Sequence, residues 1–166
     1  MLLQLELLNK YGIVNPFTII YGLQRNWVTK NDMILFAVQW LISNEFKTDR
    51  MLAVIAGGED LTDEDLIELF KKYTEKNIGS INEEKLQYEK NKWRWAFLNL
   101  VLNSSLAEYE MFMEILEILA DFGGPEDMQN CNKFEQKQIN DQYLKDKIYV
   151  AQLVEAKLRA QYINCK

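Results

Sequence analysis

The stretch NEEKLQYEKNKWRWAFLNLVL, residues 82–102, decides the fold class, because it is the longest central segment in which apolar side chains recur at helical spacing. Asn82 is a favoured N-cap residue, so we expect the helix to begin directly after it. The apolar positions step by three, four and seven residues along one helix face, at Leu86, Trp93, Phe97, Leu100 and Val101. Trp93 and Trp95 point about 200° apart on a helix, so at most one of them can face the same core seam. We expect the other to pack against a neighbouring helix or to lie at the surface.

Helical spacing continues on both sides of this segment, interrupted by only two prolines and seven glycines. The expected helix starts are Asn15 with Pro16, Thr29 with Asp32, Thr48, Thr62 with Asp65, and Ser105 with Glu108. A last helix is expected from about 136 to 163, with one apolar stripe at Leu144, Ile148, Ala151, Leu158 and Tyr162. We predict an all-α fold, a bundle or an α-solenoid-like stack of about seven to nine helices.

The domain organisation follows from length and composition. The chain has 166 residues, the length of one ordinary domain, and 48% of them are hydrophobic, enough for a sizeable core. It contains no repeat at a fixed period and no low-complexity linker. The sequence therefore predicts one domain over residues 1–166. The polar stretch 127–138 is expected to form a mobile loop before the last helix.

The chain contains no histidine, which is the usual general base and the commonest transition-metal ligand. A Ser-His-Asp or Cys-His catalytic arrangement is thereby excluded, and two cysteines, Cys131 and Cys165, are too few for a zinc site. Neither a phosphate-binding glycine loop nor an EF-hand calcium loop occurs. We expect no catalytic residue, no metal and no cofactor, and we predict that the protein is not an enzyme.

The sequence favours a cytoplasmic setting. Two cysteines without CxxC spacing are typical of a reducing compartment. No segment approaches the run of about 20 apolar residues that crosses a bilayer. Glu6 interrupts the apolar N-terminus and no basic segment precedes it, so we expect no signal peptide and no membrane partner.

Acidic residues are concentrated in two blocks that contain no lysine or arginine. Residues 51–70 hold six acids and residues 101–130 hold seven, in a chain of net charge −6. In the second block, one helix face carries Glu110, Glu114, Glu117 and Asp121. Such a face is either merely solvated or a surface for a positively charged partner. Nucleic acid is a poor partner, because binding it requires lysine and arginine; a basic protein is a better one.

A carboxylate-only active site is the alternative use of these acids. Its candidates are Glu59, Asp60, Asp63, Glu64 and Asp65, or Glu117, Asp121, Glu126 and Asp127. Most of them stand in the first turn of an expected helix, where peptide dipoles favour negative charge. The structural explanation is therefore the stronger one.

Four segments carry a family resemblance: IIYGLQRNWVTKNDMILFAVQWL, LTDEDLIELF, KWRWAFLNLVL and EILADFGGPEDM, in that order. Over roughly residues 16–130 the chain resembles an uncharacterised bacterial domain family of small, acidic, all-helical proteins. The motif positions, which we interpret as mainly structural, are Gly22, Trp27, Trp93, Arg94, Asp121, Phe122, Pro125 and Asp127. Proteins of this type are similar to immunity proteins, which are encoded beside secreted polymorphic or contact-dependent growth-inhibition toxins and neutralise them.

The resemblance implies a cognate partner, the C-terminal domain of such a toxin, and a basic nuclease suits the acidic surface best. The residues expected to bind it are Glu59, Asp60, Glu64, Glu114, Glu117 and Asp121. Two other hypotheses stay open at this point. One is a helical-repeat scaffold domain without a dedicated toxin, with a homodimer as one form. The other is a carboxylate or metal-dependent hydrolase.

Overall fold

The computed structural model describes residues 3–43, 49–80, 82–131 and 140–163, and the side chain of Glu59 falls outside this description. Over these ranges the chain forms α-helices and short 3-10 helices without a strand. The α-helices are α1 (Leu3–Lys10), α2 (Pro16–Gln24), α3 (Lys30–Ile42), α4 (Arg50–Ala56), α5 (Asp63–Asn77), α6 (Glu83–Leu102), α7 (Glu108–Asp121) and α8 (Asp141–Tyr162). The 3-10 helices are Gly58–Asp60 and Glu126–Cys131. The all-α prediction is confirmed.

The contacts cluster in two compact units, residues 1–89 and 90–166, and the division falls within α6. The first unit holds α1 to α5 and the start of α6. The second holds the rest of α6, α7, the 3-10 helix Glu126–Cys131 and α8. The single domain over 1–166 stays a prediction. Of the stretch 127–138 that we expected to be a mobile loop, residues 127–131 lie in this 3-10 helix; the rest lies outside the described residues.

The core of the first unit is built on aromatic contacts. Helix α3 packs on α4, α4 on α5, and α5 on α2. The ring of Trp40 on α3 stacks on Phe70 of α5, with 6.0 Å between the centroids. Phe70 in turn lies 6.3 Å from Tyr73, one turn along. Because aromatic side chains bury a large apolar area each, the contact between Trp40 and Phe70 helps to hold α3 against α5.

The start of α2 is held by a buried carboxylate. Asn15 and Thr18 form a reciprocal capping box, with both side chain to backbone distances near 3.0 Å. The carboxylate of Glu89, which is buried, accepts from Asn15 Nδ2 at 3.0 Å and from Thr18 Oγ1 at 2.7 Å. A negative charge beside a helix N-terminus is favourable, and the two hydrogen bonds offset part of the cost of burying it.

The second unit forms around α8. Helix α7 packs on α8, and the 3-10 helix Glu126–Cys131 packs on both. The ring of Phe112 meets Tyr143 edge-on at 6.0 Å. All five residues of the predicted stripe on α8 are buried, which confirms that periodicity.

For the second of the paired tryptophans we expected either packing against a neighbouring helix or a place at the surface, and the structure shows packing. Trp93 and Trp95 are both fully buried, and so is the whole run from Lys92 to Ala96. Consecutive buried positions mean that α6 is covered on all sides at this level, so opposite faces of the helix are both interior. Trp95 Nε1 donates to Glu155 of α8 at 2.9 Å. Asn99 Nδ2 donates to the same oxygen at 2.9 Å.

Most predicted caps are present. The expected caps at Asn15, Thr29, Thr62 and Asn82 each accept a backbone N–H of their helix. Helix α4 is capped by Asp49, which accepts from Met51 N and Leu52 N; the predicted cap Thr48 lies outside the described residues.

Two helix starts differ from expectation. Helix α7 begins after Ala107, and among the described residues Ser105 makes no capping bond to it. Ala107 has no acceptor side chain. The carboxylate of Glu110 accepts from Ala107 N at 3.2 Å. Helix α8 begins after Asn140, later than predicted; Asn140 accepts from Tyr143 N at 2.9 Å. In both places the residue with the right φ and ψ just before the first turn occupies the cap position.

The N-cap of α7 lacks a side-chain acceptor, and supplying one should stabilise the protein. Replacing Ala107 with serine supplies the missing acceptor and completes the capping box, so Ala107→Ser should raise the free energy of unfolding by about 0.5–1 kcal/mol. Urea denaturation followed by circular dichroism measures this. Ser105→Ala is the control, and it should leave the midpoint unchanged. A loss of stability in Ser105→Ala, with no gain in Ala107→Ser, would return the cap to Ser105.

Candidate functional site

Helix α7 has one buried and one exposed face. Its apolar side chains Phe112, Ile115, Ile118 and Leu119 are buried within the second unit. The predicted toxin-binding residues Glu114, Glu117 and Asp121 all lie on the exposed face, with Glu110 beside them. The carboxylates therefore form one row, as their spacing predicts.

The charge of this row is poorly neutralised. In the part of the chain that the structure describes, Glu114, Glu117 and Asp121 form no ion pair, and residues 101–130 contain no base. At the helix start, Glu108 lies 3.9 Å from Lys145 of α8, but both side chains are about half exposed, so this pair contributes little. Like charges one turn apart repel by about 0.2–0.5 kcal/mol per pair. The face therefore holds a negative potential at a cost to the free helix.

Exposed apolar side chains lie directly beside the row. Tyr109 is 55% exposed and Met113, one turn later, is 41% exposed. At about 100° per residue they form a stripe next to Glu117 and Glu110. The acids were predicted from the sequence and this stripe was not, because an aromatic residue and a methionine on an amphipathic helix are usually assigned to the core. The combination of apolar stripe and acidic row is the most distinctive surface of α7.

The acids predicted in the first block lie elsewhere. Asp60 ends the 3-10 helix Gly58–Asp60, and Glu64 lies in the first turn of α5; both are exposed. Neighbouring Asp65 accepts from the capping hydroxyl of Thr62 at 2.8 Å. The backbone of Glu59 lies in the same 3-10 helix, and its side chain lies outside the described residues. These acids belong to the first unit, and those of α7 to the second.

The motif around Gly22 and Trp27 forms the turn between α2 and α3. The carbonyl of buried Gly22 accepts from Trp27 N at 2.8 Å, and Arg25 N and Val28 N also point to it. Asn26 has a left-handed φ of 57°, which asparagine tolerates better than most residues. The Trp27 ring packs 6.0 Å from Tyr21. Gly22 and Trp27 thus contribute to the hydrogen bonding and packing of this turn.

The motifs around Arg94 and Asp127 meet in space. Buried Arg94 makes a two-pronged ion pair with Asp127, with N to O distances of 2.6 and 2.8 Å. This geometry joins α6 to the 3-10 helix Glu126–Cys131 with both charge and fixed orientation. The Nε atom of Arg94 has no hydrogen-bond partner among the described residues.

The corner between these motifs is built for a sharp change of direction. Gly123 and Gly124 have φ of 73° and 63°, a left-handed conformation that favours glycine. Gly124 N donates to Leu119 O at 2.8 Å and closes the end of α7. The ring of Phe122 meets Phe97 edge-on at 5.9 Å, and Pro125 leads into the 3-10 helix. The segment EILADFGGPEDM is thus a structural corner.

Cys131 is a buried residue of the second unit. Burial raises the pKa of the Cys131 thiol to about 11, so the thiol stays protonated and unreactive at neutral pH. Over the described ranges, no three acids or cysteines are grouped to hold a metal ion. No helix within those ranges is both long and apolar enough to cross a membrane.

One open cavity of about 400 Å³ occurs in the first unit, lined by Asn15, Phe17, Asn82, Glu84, Lys85, Tyr88 and Glu89. Its buried acid, Glu89, is the carboxylate that holds the start of α2, and no sequence pattern distinguishes it from a surface acid. None of the carboxylates proposed for a hydrolase lines this cavity.

Removing the charge of Asp127 should lower the stability of the protein, because Asp127 is the partner of buried Arg94. Asp127→Asn leaves a buried guanidinium without its counter-charge, so we expect the free energy of unfolding to fall by about 2 kcal/mol, a value reduced because the Asp127 side chain is 28% exposed. Urea denaturation measures this. The adjacent exposed acid gives the control, because Glu126→Gln should change stability by less than about 0.5 kcal/mol. Equal effects of the two substitutions would contradict a specific role for the pair.

Residues 5–158 match a protein family described as "Uncharacterized protein conserved in bacteria (DUF2247)". The match is longer than the 16–130 of the sequence resemblance and includes most of α8. No curated protein and no solved structure matches the chain. The chain therefore belongs to the bacterial family DUF2247.

Proposed function

We propose that this protein is an immunity protein that binds and neutralises a basic toxin domain, through the exposed face of α7. The observation that carries the proposal is the row Glu110, Glu114, Glu117 and Asp121 beside the exposed stripe of Tyr109 and Met113. The immunity role is the one that the sequence resemblance implies. A basic partner gives these carboxylates the counter-charge that their own unit does not provide.

A nuclease is the toxin class that best suits this row. From Glu110 to Asp121 the helix rises by about 16 Å. That length corresponds to about five phosphates along one strand of B-DNA. A groove that binds the phosphates of a nucleic acid presents positive charge over the same length, so the α7 row would occupy it and exclude the substrate. Neutralisation then requires no chemistry from this protein.

The two kinds of side chain have different tasks in such a complex. Exposed acids steer a positively charged partner and raise the association rate. Large apolar side chains that become buried at the centre of an interface supply most of the affinity. On α7 these tasks fall to the acidic row and to Tyr109 with Met113.

The first test uses the C-terminal domain encoded by the adjacent upstream reading frame as the partner. The double variant Glu114→Lys with Glu117→Lys should bind it at least about tenfold more weakly, mostly through slower association, and less so at high salt. The control is Glu6→Lys with Glu75→Lys, two exposed acids outside both blocks that give the same change in net charge. Surface plasmon resonance at two ionic strengths measures the rates.

The outcomes of this test are distinct. Equal affinity of the two double variants at every salt concentration would exclude the α7 row. Loss of binding in Asp60→Lys with Glu64→Lys instead would assign the site to the first acidic block. If the neighbouring product neither binds nor is toxic, a scaffold role takes the place of the immunity role.

The second test addresses the apolar stripe. Tyr109→Ala removes an anchor without changing charge, so we expect dissociation to accelerate by about tenfold or more while association is unchanged. Tyr149→Ala is a matched control, since Tyr149 is a similarly exposed tyrosine on α8. Rescue of growth from the co-expressed toxin domain should fall for Tyr109→Ala and persist for the control. Identical kinetics of the two variants would contradict an anchoring role.

A further inference from the structure

A second surface is of a different kind. On α3, Leu35, Val38 and Ile42 are exposed by 50%, 37% and 71%. Together with exposed Asn31 they are spaced by four, three and four residues, which is the spacing of a coiled-coil seam. We call these four residues the α3 ridge. Three large aliphatic side chains in one exposed row are more than the scattered apolar residues of an ordinary surface.

The ridge is free of charge in a chain of net charge −6. Helix α3 contains only two charged residues, Lys30 and Asp32. Asp32 is buried and accepts from the Thr29 backbone N–H at 3.0 Å. The Lys30 ammonium donates to the carbonyl of Leu61. Two copies of an acidic chain repel one another, and this repulsion is least where both present a face without carboxylates.

A groove lies at the N-terminal end of the same ridge. It has a volume of about 480 Å³ and is lined by Lys30, Asn31, Ile34 and Leu35. The most exposed apolar side chain of the ridge, Ile42, lies at the opposite end. Ile42 lies eleven positions after Asn31, which is a distance of about 16 Å along the helix. Helix α3 thus carries a projecting side chain at one end and a recess at the other.

We propose that the α3 ridge binds the α3 ridge of a second copy of this chain, with the two helices antiparallel across a two-fold axis. In this arrangement each Ile42 reaches the groove of the other copy, and Leu35 of one copy faces Val38 of the other. A two-fold interface must be self-complementary, because the same patch occurs on both sides. A ridge with its projection and its recess at opposite ends meets that requirement. The surface is separate from the toxin-binding face of α7, so either proposal can fail alone.

Sedimentation equilibrium of the full chain tests whether the dimer exists. We expect a concentration-dependent mass approaching twice the 19.6 kDa of one chain. Ile42→Glu places a charge in the partner's groove and should give a monomer with unchanged circular dichroism. The control Leu153→Glu alters an exposed leucine of α8, 53% accessible, and it should still dimerise. A monomeric parent chain at its highest soluble concentration, or a dimer unaffected by Ile42→Glu, would overturn the proposal.

Disulfide trapping tests the orientation. Asn31→Cys and Ile42→Cys are prepared separately in a Cys165→Ser background, where the remaining Cys131 is buried and protonated. Mixed and mildly oxidised, the two variants should give a cross-linked dimer, and neither should cross-link alone. Cross-linking of each variant with itself would indicate parallel helices and overturn the antiparallel arrangement. The absence of a cross-linked dimer in the mixture would also overturn it.

Discussion

Buried charge on α6 is the constraint to which much of this structure responds. A charged side chain removed from water is costly unless it finds a partner, and α6 buries Glu89 and Arg94 within two turns. Glu89 is satisfied by Asn15 and Thr18 of α2, within the first unit. Arg94 is satisfied by Asp127, within the second. Each buried charge therefore fixes a neighbouring element at one position, where apolar packing alone would allow it to slide.

Local features of this structure were predictable from the sequence, and features that depend on neighbouring elements were not. Caps and apolar stripes are local, so Asn15, Thr62 and the stripe of α8 were found from spacing alone. The burial of both Trp93 and Trp95 was not, because it depends on how many neighbours surround the helix. Glu155, which accepts from Trp95 and Asn99, gives no sequence signal that separates it from a surface acid. The motif residues Arg94 and Asp127 were identified separately, and only the fold reveals them as one pair.

For the candidate site, the placement of the acidic side chains on one helix face could be predicted from the sequence, and the exposure of the apolar side chains beside them could not. The spacing of Glu114, Glu117 and Asp121 placed them on one exposed face, and the structure agrees. The exposure of Tyr109 depends on where the neighbouring helices of its unit end, which no local pattern records. The exposed ridge of α3 was missed for the same reason: Leu35, Val38 and Ile42 read as core residues in the sequence. The acidic surface of α7 with its apolar stripe, and the uncharged ridge of α3, can thus be identified only when the burial of each side chain is known.

The poorly neutralised row of carboxylates on α7 also links the binding of a partner to the lifetime of the protein. In the free protein the repulsion between its carboxylates lowers the stability of the second unit, while a bound cationic partner removes that repulsion. Unfolding is then rarer in the complex, and proteases, which act mainly on opened chains, have less access. Under the proposed function, molecules bound to a toxin would be degraded more slowly than unbound ones. The cellular level of this protein would then rise with the amount of toxin, without a separate regulator.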